Sequence, residues 1–242
     1  MAIEYVGGQV LSRPGSNSSI TRTFALTGGI DTVPRENDLV IILSSVASQG
    51  RNTAQAITTP SGYTALGQLN EATDAYDSSM NISWKIMGAT PDTTFDSPST
   101  GSTQDAQVNT IQVFRGIDLI TPFDVTAVSA TGINSDRPDP GSITPITTDS
   151  FIVICGAGAN NSTGVLTAPT GYTTNFIAGS RNDTNDCTAG SGYKAWVSGA
   201  EDPGQYGGSS GAITASWTAY TLVIRPSLNG DDNNNALAMC NF

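Results

Sequence analysis

The sequence predicts an all-β protein, an antiparallel β-sandwich made of two degenerate repeats of about 110 residues, and three observations support this. The first is alternation. In Ser79-Met-Asn-Ile-Ser-Trp-Lys-Ile-Met-Gly the large apolar residues Met80, Ile82, Trp84 and Ile86 alternate with Asn81, Ser83 and Lys85. An extended chain places them on one face of a half-buried strand, whereas a helix would scatter them around its axis. The second is recurrence. The segments Asp38-Leu-Val-Ile-Ile-Leu, Pro60-Ser-Gly-Tyr-Thr, Lys85-Ile-Met-Gly-Ala and Thr110-Ile-Gln-Val-Phe-Arg return in order as Asp149-Ser-Phe-Ile-Val-Ile, Pro169-Thr-Gly-Tyr-Thr, Lys194-Ala-Trp-Val-Ser-Gly-Ala and Thr221-Leu-Val-Ile-Arg. The pairs Asp38 and Asp149, Gly62 and Gly171, Gly88 and Gly199, and Arg115 and Arg225 lie 111, 109, 111 and 110 residues apart. Four landmarks at nearly one offset indicate a duplication. The third is composition: 13% of residues are charged and 38% hydrophobic, and turn formers fill much of the rest, which favours short strands over helices.

Taken in order, residues 3–10 and 20–26 read as two strands split by the turn-rich Arg13-Pro-Gly-Ser-Asn. Residues 39–46 are predominantly apolar, with an unbroken run over 39–43, as expected of a central strand covered on both faces. A polar loop over 49–58 leads to the Pro60-Ser-Gly-Tyr turn, where Gly62 supplies a positive φ, and to a short strand over 65–69. An acidic loop over 71–78 precedes the alternating strand, and residues 108–115 close the first repeat. The join, Gly116-Ile-Asp-Leu-Ile-Thr-Pro-Phe-Asp, carries four apolar side chains and reads as a packed connection, not a free linker. Residues 1–228 are therefore expected to form one sandwich of about a dozen intertwined strands, with pseudo-repeats 1–125 and 126–228 and two tandem sandwiches as the alternative. Residues 229–242 form an Asn- and Asp-rich tail ending in Leu237, Met239 and Phe242, expected to contact another subunit, with packing on the chain's own surface as the alternative.

A formal net charge of −11 argues against nucleic acid and anionic membrane surfaces as partners, and no apolar run is long enough to span a bilayer. The first residues lack the basic start and apolar core of a signal peptide. There is no histidine, which removes Ser-His-Asp chemistry, histidine bases and most zinc sites. Cys155, Cys187 and Cys240 are too few for a disulfide framework and read as free thiols, with Cys155 inside an apolar strand.

Two acidic loops stand at matching places, Glu71, Asp74 and Asp77 in one repeat and Asp183 with Asp186 in the other. They lack the alternating ligands and central glycine of a calcium loop, so they read as solvated turns, as does Asn229-Gly-Asp-Asp-Asn. Paired carboxylates of a glycosidase sit in no motif here. Tyr63, Tyr172, Trp196 and Trp217 are candidates for a sugar-stacking platform. Gly204-Gln-Tyr-Gly-Gly-Ser-Ser-Gly lacks the lysine of a phosphate loop and reads as a flexible loop, and Ser210 has no base nearby in sequence. No catalytic, metal-binding or cofactor-binding residue is assigned, and no enzyme activity is expected.

Val113-Phe-Arg-Gly-Ile-Asp and Thr121-Pro-Phe-Asp, taken with Pro60-Ser-Gly-Tyr-Thr, Lys85-Ile-Met-Gly-Ala and Trp217-Thr-Ala-Tyr-Thr-Leu-Val-Ile-Arg-Pro, resemble a family of small structural proteins of tailed bacteriophages. The resemblance covers most of residues 38–227. It departs where Pro226 stands in place of Gly116 of the first repeat, and in the tail, which has no counterpart. It implies a jelly-roll-like sandwich on the virion exterior, without cofactor or catalytic residues. Such a protein would be made in the host cytoplasm and contact other virion proteins, capsid or tail subunits, as a homo-oligomer. The expected role is head decoration, with a tail- or fibre-associated glycan-binding module as the alternative.

Overall fold

The computed structural model describes residues 2–14, 19–49, 55–98, 106–160, 165–182, 185–208 and 215–227, and every regular element among them is a strand. In the first repeat β1 (Glu4–Pro14), β3 (Leu39–Gln49), β4 (Thr64–Glu71), β5 (Tyr76–Ile86) and β7 (Ala106–Arg115) form an antiparallel sheet in the order β1-β7-β3-β5-β4. The short β2 (Ile20–Thr23) and β6 (Thr94–Ser97) pair separately. The second repeat copies this with β8 (Val128–Gly132), β9 (Phe151–Asn160), β11 (Thr173–Asn182), β12 (Asn185–Ala195) and β14 (Trp217–Ile224), in the order β8-β14-β9-β12-β11. Its small pair is β10 (Leu166–Thr167) with β13 (Gly207–Gly208). Each repeat thus keeps its strands in its own sheet, and the two are not intertwined as the sequence reading expected.

The sheets stack β1 on β11, β7 on β12, β3 on β9, β5 on β14 and β4 on β8. Exchanging the repeats maps this stack onto itself, so the halves are related by a pseudo-two-fold axis running along the strands. Individual contacts come in mates. Tyr5 stacks on Tyr193 at 4.5 Å between centroids, and Phe123 meets Trp84 edge-on at 5.4 Å. Ser78 Oγ donates to Ala157 O at 3.3 Å, and its counterpart Cys187 lies 3.3 Å from the Oγ of Ser45, the counterpart of Ala157. The shared core includes Leu39, Leu43, Met80, Phe114, Val153 and Leu222, all fully or almost fully buried.

The register corrects the sequence alignment of the repeats. Leu39 pairs with Ile86 and Phe114, whereas Phe151 pairs with Ala195 and Ile224, so Leu39 and Phe151 are equivalent. Asp149 therefore matches Asn37, and both hold a left-handed φ, 62° and 67°, which Asn and Asp tolerate better than most residues. Asp38 matches Ser150: Met87 N donates to Asp38 O and Trp196 N to Ser150 O. By the same bonds Trp196 matches Met87, which puts Gly199 two residues out of step with Gly88. Gly62 and Gly171, with φ of 77° and 88°, and Arg115 and Arg225 are true equivalents.

The apolar run in β3 is covered on both faces, as expected, and so is the run in β9. Outside the first sheet Val40, Ile42, Ile111 and Val113 lie under Phe24, Leu26 and Phe95, and outside the second Ile152, Ile154 and Val223 lie under Ile143, Leu166 and Tyr206. The alternating strand β5 differs from its half-buried expectation, because residues 76–83 are buried on both faces. The segment before β4 crosses its outer side, where Gln55 N donates to Ser79 Oγ and Asn81 Nδ2 donates to Ile57 O, both at 3.1 Å. The join is packed: Ile117 is buried, Asp118 N donates to Arg225 O, and Asp124 N donates to Val223 O. Three of the four edge strands of the main sheets carry a bulge, at Tyr5/Gly7, Ala65/Gly67 and Thr173/Phe176, and the fourth, β8, has only five residues. Bulges and short length both blunt an edge against pairing with another chain.

Candidate functional site

The proximal end of the sandwich is the one where β3 and β9 begin; the opposite end is distal. The first acidic loop lies at the distal end and clasps the two repeats together, so it is not merely a solvated turn. Glu71 accepts from Thr73 Oγ1 at 2.6 Å and, across the repeats, from Thr131 Oγ1 at 3.0 Å. Asp74 accepts from Ala75 N at 2.8 Å and from Asn134 N of the second repeat at 3.1 Å. Asp77 and Asp186 are not loop residues: they occupy equivalent, buried positions on β5 and β12. Among the described residues no three acidic or thiol groups converge as metal ligands. Asp183, Ser210 and the tail 229–242 lie outside the described residues, as does the end of the glycine-rich segment. Its start is no loose loop: Tyr206 is fully buried, with its hydroxyl donating to Gly190 O at 3.2 Å, and Gly207–Gly208 form β13. The bare strand glycines signal this approach, since a Cβ on Gly156 would meet the Tyr206 ring at 2.9 Å.

The four aromatics considered for a sugar platform do not share a surface. Tyr63 packs on the outer face of the first sheet and Tyr172 on the outer face of the second, with Trp196 beside that second cluster. Trp217 starts β14 at the distal end, its ring where a Cβ on Gly132 would stand. The seven residues to Ile224 place it about 23 Å from the proximal end.

Tyr63 and Tyr172 instead belong to a duplicated cluster. In each copy the Pro-x-Gly-Tyr turn lays the ring beside a lysine, at 5.7 Å for Lys85 and 5.4 Å for Lys194. Each lysine is paired with an acid, Lys85 with Asp92 at 2.5 Å and Lys194 with Glu201 at 2.6 Å. Burial pushes both phenols above their ordinary range, with the nearby Asp92 and Glu201 adding to the effect. Burial also pushes the Cys155 and Cys187 thiols up to about 12, which keeps them protonated and unreactive at neutral pH. Burial thus favours the protonated form of these two phenols and two thiols, and Lys85 and Lys194 are each held in a direct ion pair.

The proximal end holds a further arrangement that sequence reasoning missed. Asp38 is fully buried and receives Arg115 in a two-point contact, Nε to Oδ1 at 2.8 Å and Nη2 to Oδ2 at 2.9 Å. Its equivalent Ser150 cannot do this for Arg225. Asp124 of the join takes the role, 3.7 Å from Arg225 Nε, while accepting from Ile146 N at 2.6 Å, Thr147 N at 3.0 Å and Thr147 Oγ1. Arg225 then donates to Thr121 Oγ1 at 3.0 Å and Thr147 Oγ1 at 3.3 Å. Ser150 Oγ donates to Thr147 O at 2.8 Å, which connects the frame to Trp196 through Ser150.

Three turns fixed by this frame each point a large aliphatic side chain into solvent. Asp118 Oδ1 accepts from Ile120 N and Thr121 N at 2.9 and 3.0 Å, and Ile120 is 91% exposed. Ile146, held through Asp124, is 70% exposed. Val197, in a turn closed by Trp196 Nε1 donating to Gly199 O at 3.0 Å, is 88% exposed. A single exposed aliphatic is ordinary, but three held out on pinned turns at one end form a preorganised apolar crown.

Compared with protein-family models, with curated proteins and with solved structures, the chain has no match in any of the three.

Proposed function

We propose that the chain is a non-enzymatic structural protein of a tailed-phage virion, most simply a head-decoration protein on the exterior, attached through its proximal end. The observation that carries the reading is the crown of Ile120, Ile146 and Val197 on its hydrogen-bonded frame. Rigid apolar tips surrounded by polar groups suit a protein contact, because little side-chain and loop entropy is lost on docking. The blunted sheet edges support the same reading, since they disfavour strand pairing and leave an end of the sandwich as the contact face. The net charge of −11 favours a protein neighbour over packaged nucleic acid.

The test is fractionation of purified particles of the phage that encodes the chain, with the wild type and the triple variant Ile120→Asp, Ile146→Asp, Val197→Asp compared at equal expression. The expected result is wild-type chain on intact heads and a loss of occupancy in the variant. Finding the chain only in tails would end the decoration version, and its absence from virions would end the whole reading.

A further inference from the structure

We infer that the protein surface onto which the proximal end docks is basic, with lysine or arginine side chains around an apolar recess. This rests on the proximal end being the attachment face and names the chemistry of its partner. Apolar tips gather at this end beyond the crown itself. Ile30 is 59% and Val33 40% exposed, on a turn pinned by Asp31 N donating to Val6 O at 3.0 Å, Leu26 N to Thr32 O at 2.8 Å and Thr32 N to Asp31 Oδ1 at 2.9 Å. Asp31 lies 2.6 Å from Arg35 Nε and 3.7 Å from Arg115 Nη2, which ties that turn to the end of β7 and so to the proximal side. Among the described residues the other exposed large aliphatics, Ile20, Ile133 and Val165, stand apart, towards the distal half. Both repeats therefore contribute apolar tips to one end.

The charge around those tips is one-sided. Each described cation of this end is already matched by a carboxylate: Arg35 by Asp31, Lys85 by Asp92, Arg115 by Asp38, Lys194 by Glu201 and Arg225 by Asp124. Glu4, Glu36, Asp149 and Asp202 are exposed and stand in no ion pair among the described residues. The fold fixes their places. Glu4 pairs with Arg115 at the start of β1, Glu36 precedes Asn37, whose N–H donates to Met87 O, Asp149 stands two residues before β9, and Asp202 adjoins Glu201, which holds Lys194. Sheets about 10 Å apart and five strands wide give an end face about 20 Å across, so these carboxylates lie within about two Debye lengths of one another at 0.1 M salt and act jointly on an approaching surface. An interface with an apolar core and a charged rim gains from opposite charges on the facing side. A second copy of this chain would set the same carboxylates against them, and nucleic acid or an anionic membrane would set phosphates there, so the charge selects a basic protein as the occupant.

The test is rebinding of the purified full chain to phage particles that lack it, read by co-sedimentation over about 0.05 to 0.5 M sodium chloride. The expected result is a wild-type affinity that falls about tenfold or more as salt rises. The variant Glu4→Gln, Glu36→Gln, Asp149→Asn, Asp202→Asn should bind about tenfold more weakly than wild type at low salt, with a flatter salt dependence. These amides keep the size of the acids, and Asn tolerates the left-handed φ of Asp149, so the urea midpoint should stay close to that of wild type. The control pair Asp96→Asn, Asp139→Asn lies away from this end, Asp96 on β6 and Asp139 beside Pro138 against the middle of β9, and should match wild type in affinity and salt dependence. Wild-type binding that is unchanged or tightened by salt would overturn the inference whatever the variants do. A neutralised variant that binds as wild type does would overturn it too, as would a control pair that weakens binding as much as the four substitutions. If the crown variant fails to bind while the neutralised variant binds like wild type, the attachment face stands and the basic partner falls. If the wild type binds no particles, the attachment reading itself falls and this inference with it.

Discussion

Replacing Gln112 by leucine should stabilise the protein. Gln112 points inward from β7, 1% exposed, into a gap between the sheets that it shares with Ile41, Leu43, Val153 and Cys155. Neither its amide nitrogen nor its amide oxygen has a hydrogen-bond partner. A buried amide without partners costs about 1–3 kcal/mol. The equivalent position in the second repeat is Leu222, fully buried in the same core, so the pseudo-two-fold geometry already accepts leucine there. Allowing up to about 1 kcal/mol for repacking around a branched side chain, the net gain is about 1–2 kcal/mol. For a chain of this size that raises Tm by about 2–8 °C. Urea unfolding is the assay, with a higher midpoint at unchanged slope as the expected outcome. One layer away, Ser191 Oγ donates to Thr110 Oγ1 at 2.8 Å, so Thr110→Val should have the opposite sign, costing about 1–2 kcal/mol by orphaning the serine. A Gln112→Leu protein less stable than wild type by 1 kcal/mol or more would refute the reasoning, since it would mean the amide is satisfied in solution.

Removing Arg115 leaves the fully buried Asp38 without its ion partner, and Arg115→Ala is expected to cost about 3–5 kcal/mol in denaturant unfolding. Arg225→Ala should cost clearly less, because Asp124 keeps two backbone donors and the Thr147 hydroxyl. Alkali should destabilise the fold through its thiols. The folded Cys155 and Cys187 are pushed up to about 12 from 9.0, so their stabilising contribution is whole below about pH 9 and is lost as pH rises towards 12. Each thiol contributes a slope of about 1.4 kcal/mol per pH unit within that window, and the Cys155→Ala, Cys187→Ala double variant should show a flatter fall in urea midpoint between pH 9 and 10.

The strands were legible where local pattern and tertiary environment agree. The apolar run of β3 and the turn glycines Gly62 and Gly171 appear in the fold as the sequence implies, because burial on both faces and a positive φ each leave a direct mark on residue choice. The alignment of Asp38 with Asp149 went astray because matching letters were followed where matching backbone conformations were decisive. Asp77 and Asp186 were assigned to loops for their charge, yet the strand continues through them; a carboxylate in an extended segment carries no local sign that loops from elsewhere will cover it. The crown could not be read at all. Ile120, Ile146 and Val197 are distant in sequence, and the bonds that bring their turns to one end, Arg225 to Thr121 and Thr147, Ile146 to Asp124 and Trp196 to Ser150, form only in three dimensions.

The pseudo-two-fold relation between the sheets has a consequence for how this protein can change. Were the halves separate identical subunits, each substitution at their contact would occur twice and folding would depend on protomer concentration. On one chain each substitution occurs once, and the stability of the sandwich is independent of dilution. The two halves have used that freedom: Leu222 stands where Gln112 does, Ser150 stands where Asp38 does, and Trp84 corresponds to Tyr193. Asymmetric evolution of this kind lets one half specialise its end turns, as the crown has, while the other keeps the ion pair that holds its own sheet.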